Sequence, residues 1–394
     1  MSKSLHDKIA VIGMGCTTFG ELWDSSSDDL AIEAVTEAIA SVPGLAKDDI
    51  EAYWYSTLAT GHSGLPLAKT LKVERPVSRV ENYCASGSDA FRNAAFAVAA
   101  GVYDVAMAVG VEKLKDSGYS GLTVDDPPSD NTVPDVSNPA SYAMLPAAYS
   151  EHYGVDPREL RQALTHVAWK NHGNGALNPR AQYRSVVSKE TIDRAPRVAG
   201  DLSVFDCSGV ADGGAAAIIV RAEDAYKYTD KPMFLKGMSL HAGSSSGAAT
   251  AGQRHVTFPE VTACAQAAYA EAGITDPRSQ ISLAEVHDCF TPTEMILLED
   301  LGFSARGKAW RDLLDGHYDL TGDLPVNPDG GLKSFGHPVG ASGLRMMFEL
   351  WLQFRGEAGE RQLDAPKIGL THNMGGLPGE FISFIALFGS ELDR

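Results

Sequence analysis

What most restricts the fold of this chain is that its order of strand and helix patterns is written twice. In the first pass, Ile9 to Gly15 is a short apolar run closed by glycines. Leu30 to Ile39 then has helical apolar spacing behind the capping residues Ser25 to Asp29, Ile50 to Thr57 is strand-like, and a turn at 83–88 leads into a helix reaching residue 98. In the second pass, strand 232–240 answers 9–15, the alanine-rich helix 259–272 answers 30–40, and strand 281–286 answers 50–57. A Gly-rich turn into a helix at 336–348 answers 83–98, and the apolar runs 367–371 and Phe381 to Phe388 close the chain. Two halves of similar length imply a duplicated α/β unit about a pseudo-twofold axis. In such a unit the loops beyond the strand ends of both halves meet near the axis, where active sites tend to lie. The Gly13/Gly15 pair is half of a dinucleotide fingerprint, but Thr18 stands where the third glycine belongs, so it reads as a strand end.

Between the halves lies a segment of different character. Asp104 to Val111 closes the first α/β half, and Asp125 to Pro139 is a loop-like stretch rich in Pro, Asp, Ser and Asn. Helices are expected around Ala140 to Tyr153 and Glu159 to Asn171. Gly213 to Val220 resumes as a strand. The implied division is an N-terminal half of 1–112 and 201–225, an inserted loop domain of 113–200, and a C-terminal half of 226–394, a length of 394 residues being too great for one ordinary core. The insertion is locally basic in an acidic chain. From Asp156 to Ala199 there are eight Lys or Arg against four Asp or Glu, a net of +4, whereas the whole protein has 33 basic and 51 acidic residues and a net of −18. Overall repulsion excludes nucleic acid and anionic membranes as partners, while the basic segment suits a small polyanion or is a solvated helix face. No apolar run approaches the ~20 residues of a membrane span. Cys16, Cys84, Cys207, Cys264 and Cys289 are odd in number and widely spaced, as in reduced thiols of a cytoplasmic protein with no metal pattern.

Four segments fall at the expected strand ends: Asn82 to Ser86, Val286 to Phe290, Gly336 to Gly340, and His372 to Gly376. Cys84 precedes a small-residue helix whose Ser86, Gly87 and Ser88 supply capping and tight-turn residues. A thiol there faces unpaired backbone N–H groups and the positive end of the helix dipole, which favour thiolate and can hold an oxyanion. The alternative is a buried structural cysteine. Any one histidine is also more often structural than catalytic, but together the segments gather two Cys and three His, the inventory of thiol-based covalent catalysis. Cys16 and Cys264 fit core positions; Cys207 beside Ser208 either packs likewise or approaches the channel of the site.

On these segments the chain resembles the thiolase superfamily, in particular the sterol-carrier-protein-type thiolases and their bacterial and archaeal relatives. The resemblance runs nearly end to end. It is carried by Asn82 to Ser88, His287-Asp288-Cys289-Phe290, Asn327-Pro328-Asp329-Gly330-Gly331 leading into Gly336-His337-Pro338-Val339-Gly340-Ala341, and Cys207-Ser208-Gly209 with Asp212 to Ala216. It implies a five-layer αβαβα fold, a loop domain that binds coenzyme A, a homodimer or tetramer, and no permanently bound cofactor, the coenzyme A thioester being substrate. Carried over residue by residue, Cys84 takes the acyl group, and His337 accepts the thiol proton and later helps hold the thioester oxygen. His287 replaces the asparagine that other thiolases carry in an Asn-Glu-Ala-Phe motif. The last loop, His372 to Gly376, lacks the cysteine most thiolases use as acid/base, so Cys289 is the candidate for that role. His287 and His337 would form one oxyanion site, and the backbone amides of Cys84 and Gly375 the other. Ser208 corresponds to the serine near the pantetheine. Met144, Tyr149 and Tyr153 are candidates for shaping the acyl pocket.

The chemistry accounts for these types. Carbon–carbon bond formation or cleavage beside a thioester needs a nucleophile that makes a transferable acyl intermediate, hence a thiol, and a base of pKa near 9 for a weakly acidic C–H, which a second thiol supplies. The expected activity is an acyl-CoA C-acyltransferase of lipid metabolism, cleaving 3-oxoacyl-CoA or condensing acyl-CoAs. The alternatives are a retro-aldolase of the same fold, whose relatives do without the nucleophilic cysteine, and an acyltransferase subunit working with a small OB-fold, zinc-ribbon partner. A catalytically dead scaffold fits poorly with four intact segments.

Overall fold

The computed structural model describes residues 4–115, 137–244, 255–378 and 380–393, so the expected loop at 125–139 falls outside the described residues as far as 136. Among the described residues the strands are β1 (Ile9–Cys16), β2 (Ala52–Ser56), β3 (Val77–Val80), β4 (Val105–Glu112), β5 (Arg197–Ala199), β6 (Leu202–Ser203), β7 (Gly213–Arg221), β8 (Met233–Ala242), β9 (Leu283–Glu285), β10 (Ile368–Leu377) and β11 (Glu380–Gly389). β5 and β6 form a small hairpin. The other nine form one sheet in the order β3-β2-β4-β7-β1-β8-β11-β10-β9.

That order contains the sequence repeat. Outward from the β1–β8 seam, one side runs β1-β7-β4-β2 and the other β8-β11-β10-β9, each taking the strands of its half in the same succession. Directions repeat too: β7 is antiparallel to β1 and β4, and β11 is antiparallel to β8 and β10, while β4 is parallel to β2 and β10 to β9. The halves join through a short antiparallel contact, Ala10 to Phe234 and Val11 to Met233. β3 extends the first side as an edge strand, and on the second side an isolated parallel bridge between Ala284 and Val326 takes that place.

Helices cover both faces. Helix Ser27–Ala40 packs on the outer face of the first half-sheet, beginning with a capping box in which Ser26 accepts from the Asp29 amide and Asp29 accepts from Ser26. Pro259–Ala272 and Thr291–Asp300 cover the outer face of the second. Ser86–Ala99 and Ser342–Arg355, one from each half, lie between the half-sheets and bury Phe91, Ala94, Val98, Leu344, Met347 and Phe348 in a shared central core. The result is the αβαβα layering. Strands covered on both sides need no polar face, and β7, Gly-Gly-Ala-Ala-Ala-Ile-Ile-Val-Arg, is buried up to its last residue. Each large apolar side chain buried there contributes about 1.5–3 kcal/mol. The middle layer is close because small residues permit it: a Cβ on Gly110 of β4 would lie 2.2 Å from the Gly340 carbonyl oxygen. No helix among the described residues is long and apolar enough to cross a membrane.

The inserted segment supplies helices Asn138–Tyr142, Met144–Tyr153 and Pro157–Ala176. Its basic residues do not form one free patch. Arg161 is paired with Asp206, Lys170 is buried against Glu294, and Arg180 is paired with Glu37, so only part of the net positive charge faces outward. Arg158, Arg184, Lys189, Arg194 and Arg197 are exposed.

Candidate active site

The first turn is built locally. β3 ends at Val80, and Tyr83 then adopts the left-handed conformation (φ 49°), a region that costs a non-glycine residue of order 1 kcal/mol or more and is kept where the surroundings fix it. Ala85 N–H donates to the Asn82 carbonyl (3.0 Å), and the Ser86 hydroxyl accepts from Asn82 N–H (2.8 Å) while donating to the Tyr83 carbonyl. Cys84 is thereby held at the start of helix Ser86–Ala99, half-buried at a cavity wall. The expected ease of ionisation is not found. Burial, with Glu112 adding to it, pushes the thiol up to about 12 and outweighs the hydrogen bond from its own amide. The resting nucleophile is therefore a thiol, and a base has to take its proton.

That base comes from the related turn in the other half. Gly336 (φ 114°) opens it, and His337 N–H donates to the Gly209 carbonyl (3.1 Å). His337 is buried, and its Nδ1 lies 2.7 Å from the Ser342 hydroxyl, which itself donates to the Pro338 carbonyl (2.9 Å). The serine proton being committed there, Nδ1 carries the histidine's proton, and Nε2 keeps a bare lone pair with no hydrogen-bond partner. Desolvation, with Arg345 nearby, lowers His337 to about 3, so the ring is neutral near pH 7.

His287 has the opposite tautomer. Its Nδ1 is 3.3 Å from Nδ2 of Asn373, whose Oδ1 accepts from the Ser88 hydroxyl (2.6 Å). With the amide so oriented, Nδ1 accepts and Nε2 carries the proton. The two rings stand edge to face, centroids 5.4 Å apart, and one ligand atom each of Cys84, His287 and His337 lies within 4.8 Å of the others. Three such atoms can hold a metal ion, but with one imidazole presenting a lone pair and the other an N–H, the arrangement suits proton transfer plus oxyanion binding better.

Cys289 follows His287 by two residues and is buried in the same cavity wall. Its carbonyl accepts from Ser208 N–H (2.8 Å), its sulfur reaches the Thr293 hydroxyl (3.8 Å), and Phe290 bridges to Cys207. Burial and the neighbouring Cys84 push its thiol well above the ordinary range. The loop is fixed by Asp288, which accepts from the amides of Leu332 (2.6 Å) and Lys333 (3.1 Å) and from Nδ2 of Asn171 (2.8 Å). This explains the glycine pair at 330–331: a Cβ on Gly331 would lie 2.3 Å from the Asp288 carboxylate. Asn327, itself left-handed (φ 55°), accepts from Val286 N–H (2.8 Å) and aligns the end of β9.

Cys84, His287, Cys289, His337, Gly375 and Ser208 all line one cavity of about 530 Å³. Gly375 sits against the nucleophile's backbone, where a Cβ would lie 2.8 Å from the Cys84 nitrogen. A groove of about 680 Å³ around Arg278, Ser282 and Asp323 contains no thiol or imidazole. Several expectations are corrected. His372 to Gly376 is not a loop but the interior of β10, and His372 turns to the Ser383 hydroxyl (3.3 Å) instead of the cavity. Met144 is exposed, Tyr149 is buried against Glu299, and neither they nor Tyr153 line the cavity; Tyr142 does. Cys207 lines it as well, while Cys16 and Cys264 are core. Glu112 gave no signal in sequence beyond a charge closing an apolar run. Its buried carboxylate accepts from the Thr57 and Thr60 hydroxyls and from the backbone N–H groups of Leu58, Ala59 and Gly340 (3.0 Å for the last), tying the two halves together beneath the site.

The profile described as "Thiolase, N-terminal domain" matches residues 9–223, and "Thiolase C-terminal domain-like" matches 242–385. The acetyl-CoA acetyltransferase of Methanothermobacter thermautotrophicus is 38% identical over 395 aligned residues, covering 94% of this chain and 97% of that protein. Sterol carrier protein 2 of Bos taurus is 29% identical, covering 94% of this chain and 70% of that one. Among solved structures, "Ltp2-ChsH2(DUF35) aldolase" superposes with a TM-score of 0.84 at 26% identity and covers 100% of both chains.

Proposed function

The chain belongs to the thiolase family, and from that premise we propose that it is an acyl-CoA C-acyltransferase working through an acyl-enzyme on Cys84. The observation that carries this reading is the single cavity onto which Cys84, Cys289, His287 and His337 all open. His337 Nε2 takes the Cys84 proton as sulfur attacks the thioester carbonyl. The oxyanion is received by the amides of Cys84 and Gly375, and Cys289, protonated at rest, gives its proton to the departing CoA thiolate. Cys289 is then the thiolate needed to take the α-proton of a second acyl-CoA. Its enolate oxygen meets N–H donors on His287 and on the now doubly protonated His337. The carbanion attacks the Cys84 thioester, and Cys84 recovers its proton from His337. Every proton is returned, so the cycle runs in either direction.

Coenzyme A is substrate in this scheme, with no resident cofactor. The pantetheine would pass Ser208, and its phosphates would meet the exposed cations that remain in the inserted segment, Arg184 and Arg197 flanking the cavity-lining Tyr183 and Val198. The proposed division into two halves and a CoA-binding loop domain of 113–200 follows from the same reading, as does a cytoplasmic role in lipid metabolism. β3, an edge strand of the sheet among the described residues, supports a homodimer formed by sheet continuation, or a tetramer built from it. The similar aldolase structure contains a DUF35 protein, which supports a small OB-fold partner here as well. Its aldolase activity is the second reading. Incubation with acyl-CoA and free CoA, with mass spectrometry of the peptide containing Cys84, separates them: a thioester on Cys84 supports acyl transfer. Retro-aldol cleavage with Cys84 unmodified would overturn it.

A further inference from the structure

Cys289 has a neighbour that neither the sequence motifs nor the proposed scheme uses. Tyr142, from the inserted segment, is buried, lines the cavity, and stacks on Phe290 with ring centroids 4.3 Å apart at 26°. Its hydroxyl stands 3.4 Å from the Gly376 carbonyl and close enough to the Cys289 sulfur for a hydrogen bond to it to favour the thiolate. We propose that Tyr142 is the positioning residue of the carbon–carbon step, a phenol that turns its single proton to the Cys289 sulfur whenever that sulfur is a thiolate.

A phenol has one hydrogen to donate and lone pairs to accept with. While Cys289 is a thiol, its S–H faces the Tyr142 oxygen or the Thr293 hydroxyl, and the phenol hydrogen is directed to the Gly376 carbonyl. Once Cys289 has protonated the leaving CoA, the phenol hydrogen rotates to the sulfur, and when sulfur takes the substrate's α-proton it rotates back. No proton leaves Tyr142 in either state. Burial holds its own ionisation well above the usual phenol range, so it remains a donor throughout. The groups facing Cys289 are Cys84, Asp288, Thr293 and Tyr142. Cys84 and Asp288 oppose a negative sulfur, while the two hydroxyls favour it. Between these hydroxyls the phenol is the better donor to an anion, and its ring is clamped by Phe290.

The inference rests on the reading that Cys289 is the base, and the test keeps the two apart. Three variants are compared: Tyr142→Phe, which keeps the stack and removes one oxygen, Cys289→Ala, and Tyr142→Phe in a Cys84→Ser background. In Tyr142→Phe, acylation of Cys84 by acetyl-CoA, followed by mass, is expected to slow less than condensation does, because a thiolate can depart without full protonation whereas the α-carbon proton cannot be removed without the Cys289 thiolate. Condensation should fall about tenfold or more, the loss of one hydrogen bond to a charged group. In the Cys84→Ser background, alkylation of Cys289 by iodoacetamide should slow by a similar factor at each pH, its profile moving about one unit upward. Unchanged condensation and alkylation would overturn the role of Tyr142 while leaving Cys289 in place. Condensation that survives in Cys289→Ala would overturn the underlying reading instead. Should Tyr142→Phe fail to fold, Tyr142→Met fills the same space without a hydroxyl and is held to the same outcomes.

Discussion

Two turns in corresponding places of the duplicated unit, Asn82 to Ser86 and Gly336 to Ala341, carry different chemistry and are held in different ways. The first holds itself. Its bonds run between Asn82, Tyr83, Ala85 and Ser86, and the left-handed Tyr83 fixes where Cys84 points. The second is held by the rest of the molecule: His337 N–H to Gly209, Gly340 N–H to Glu112, and the Ser56 hydroxyl to the Gly340 carbonyl (2.7 Å). The nucleophile's position is thus a local property, whereas the base's position depends on both halves being docked. Changes in the first turn should disturb chemistry without stability, and changes around the second should disturb both.

The strongest test of the contrast is Cys84→Ala, expected to reduce turnover by about 10⁴-fold or more with the thermal midpoint unmoved within error. An appreciable fall in that midpoint would break the distinction. A second test uses pH. With the Cys84 thiol at about 12, its ionised fraction grows about tenfold per pH unit below that value. In Cys289→Ala, iodoacetamide labelling of Cys84 should therefore rise about a thousandfold from pH 7 to pH 10 without levelling. A plateau near pH 8 would show that the helix terminus, not burial, governs the sulfur.

Smaller effects belong to the second turn and its supports. Arg345, wholly buried, pairs with Asp329 and Glu285 under the central layer, where burial and the neighbouring Asp329 hold the Glu285 carboxyl well above the usual carboxylate range. Arg345→Met leaves the buried Glu285–Asp329 acidic pair without its cation and should cost about 3–5 kcal/mol, read from denaturant unfolding. Gly110→Ala presses a methyl on the Gly340 carbonyl across the two halves. About 1–3 kcal/mol is expected, together with slower acylation, since the His337 turn has to move. Ser342→Ala, which leaves the buried His337 Nδ1–H without its partner and releases the tautomer, should slow acylation about tenfold and cost about 1–3 kcal/mol of stability.

The repeat, the order of strands along the chain and the chemical segments were legible because each is a local pattern: apolar runs of strand length, helical spacing, and small or turn-forming residues beside a cysteine or histidine. What was not legible depends on contacts distant in sequence. Glu112 gathers donors from residues 57–60 and from Gly340, and Asn373 links Ser88 to His287, pairings that no spacing announces. The Cys84 thiol was misjudged because a helix terminus can be seen in sequence and the depth of burial cannot. The basic segment misled for the same reason, since Arg161, Lys170 and Arg180 meet their carboxylates only in the folded chain. Tyr142 carries no motif, and neighbouring aromatic residues of similar appearance face elsewhere.

The most direct measurement is the intact mass of Cys289→Ala after mixing with acetyl-CoA, taken beside its condensation rate. A full acetyl group on Cys84, acquired more slowly than in the wild type because Cys289 no longer protonates the departing CoA, while no 3-oxoacyl-CoA forms, is the expected result. A Cys289→Ala protein that condenses acyl-CoA normally, or one that never acquires the acetyl group, would contradict the division of labour between the two sulfurs.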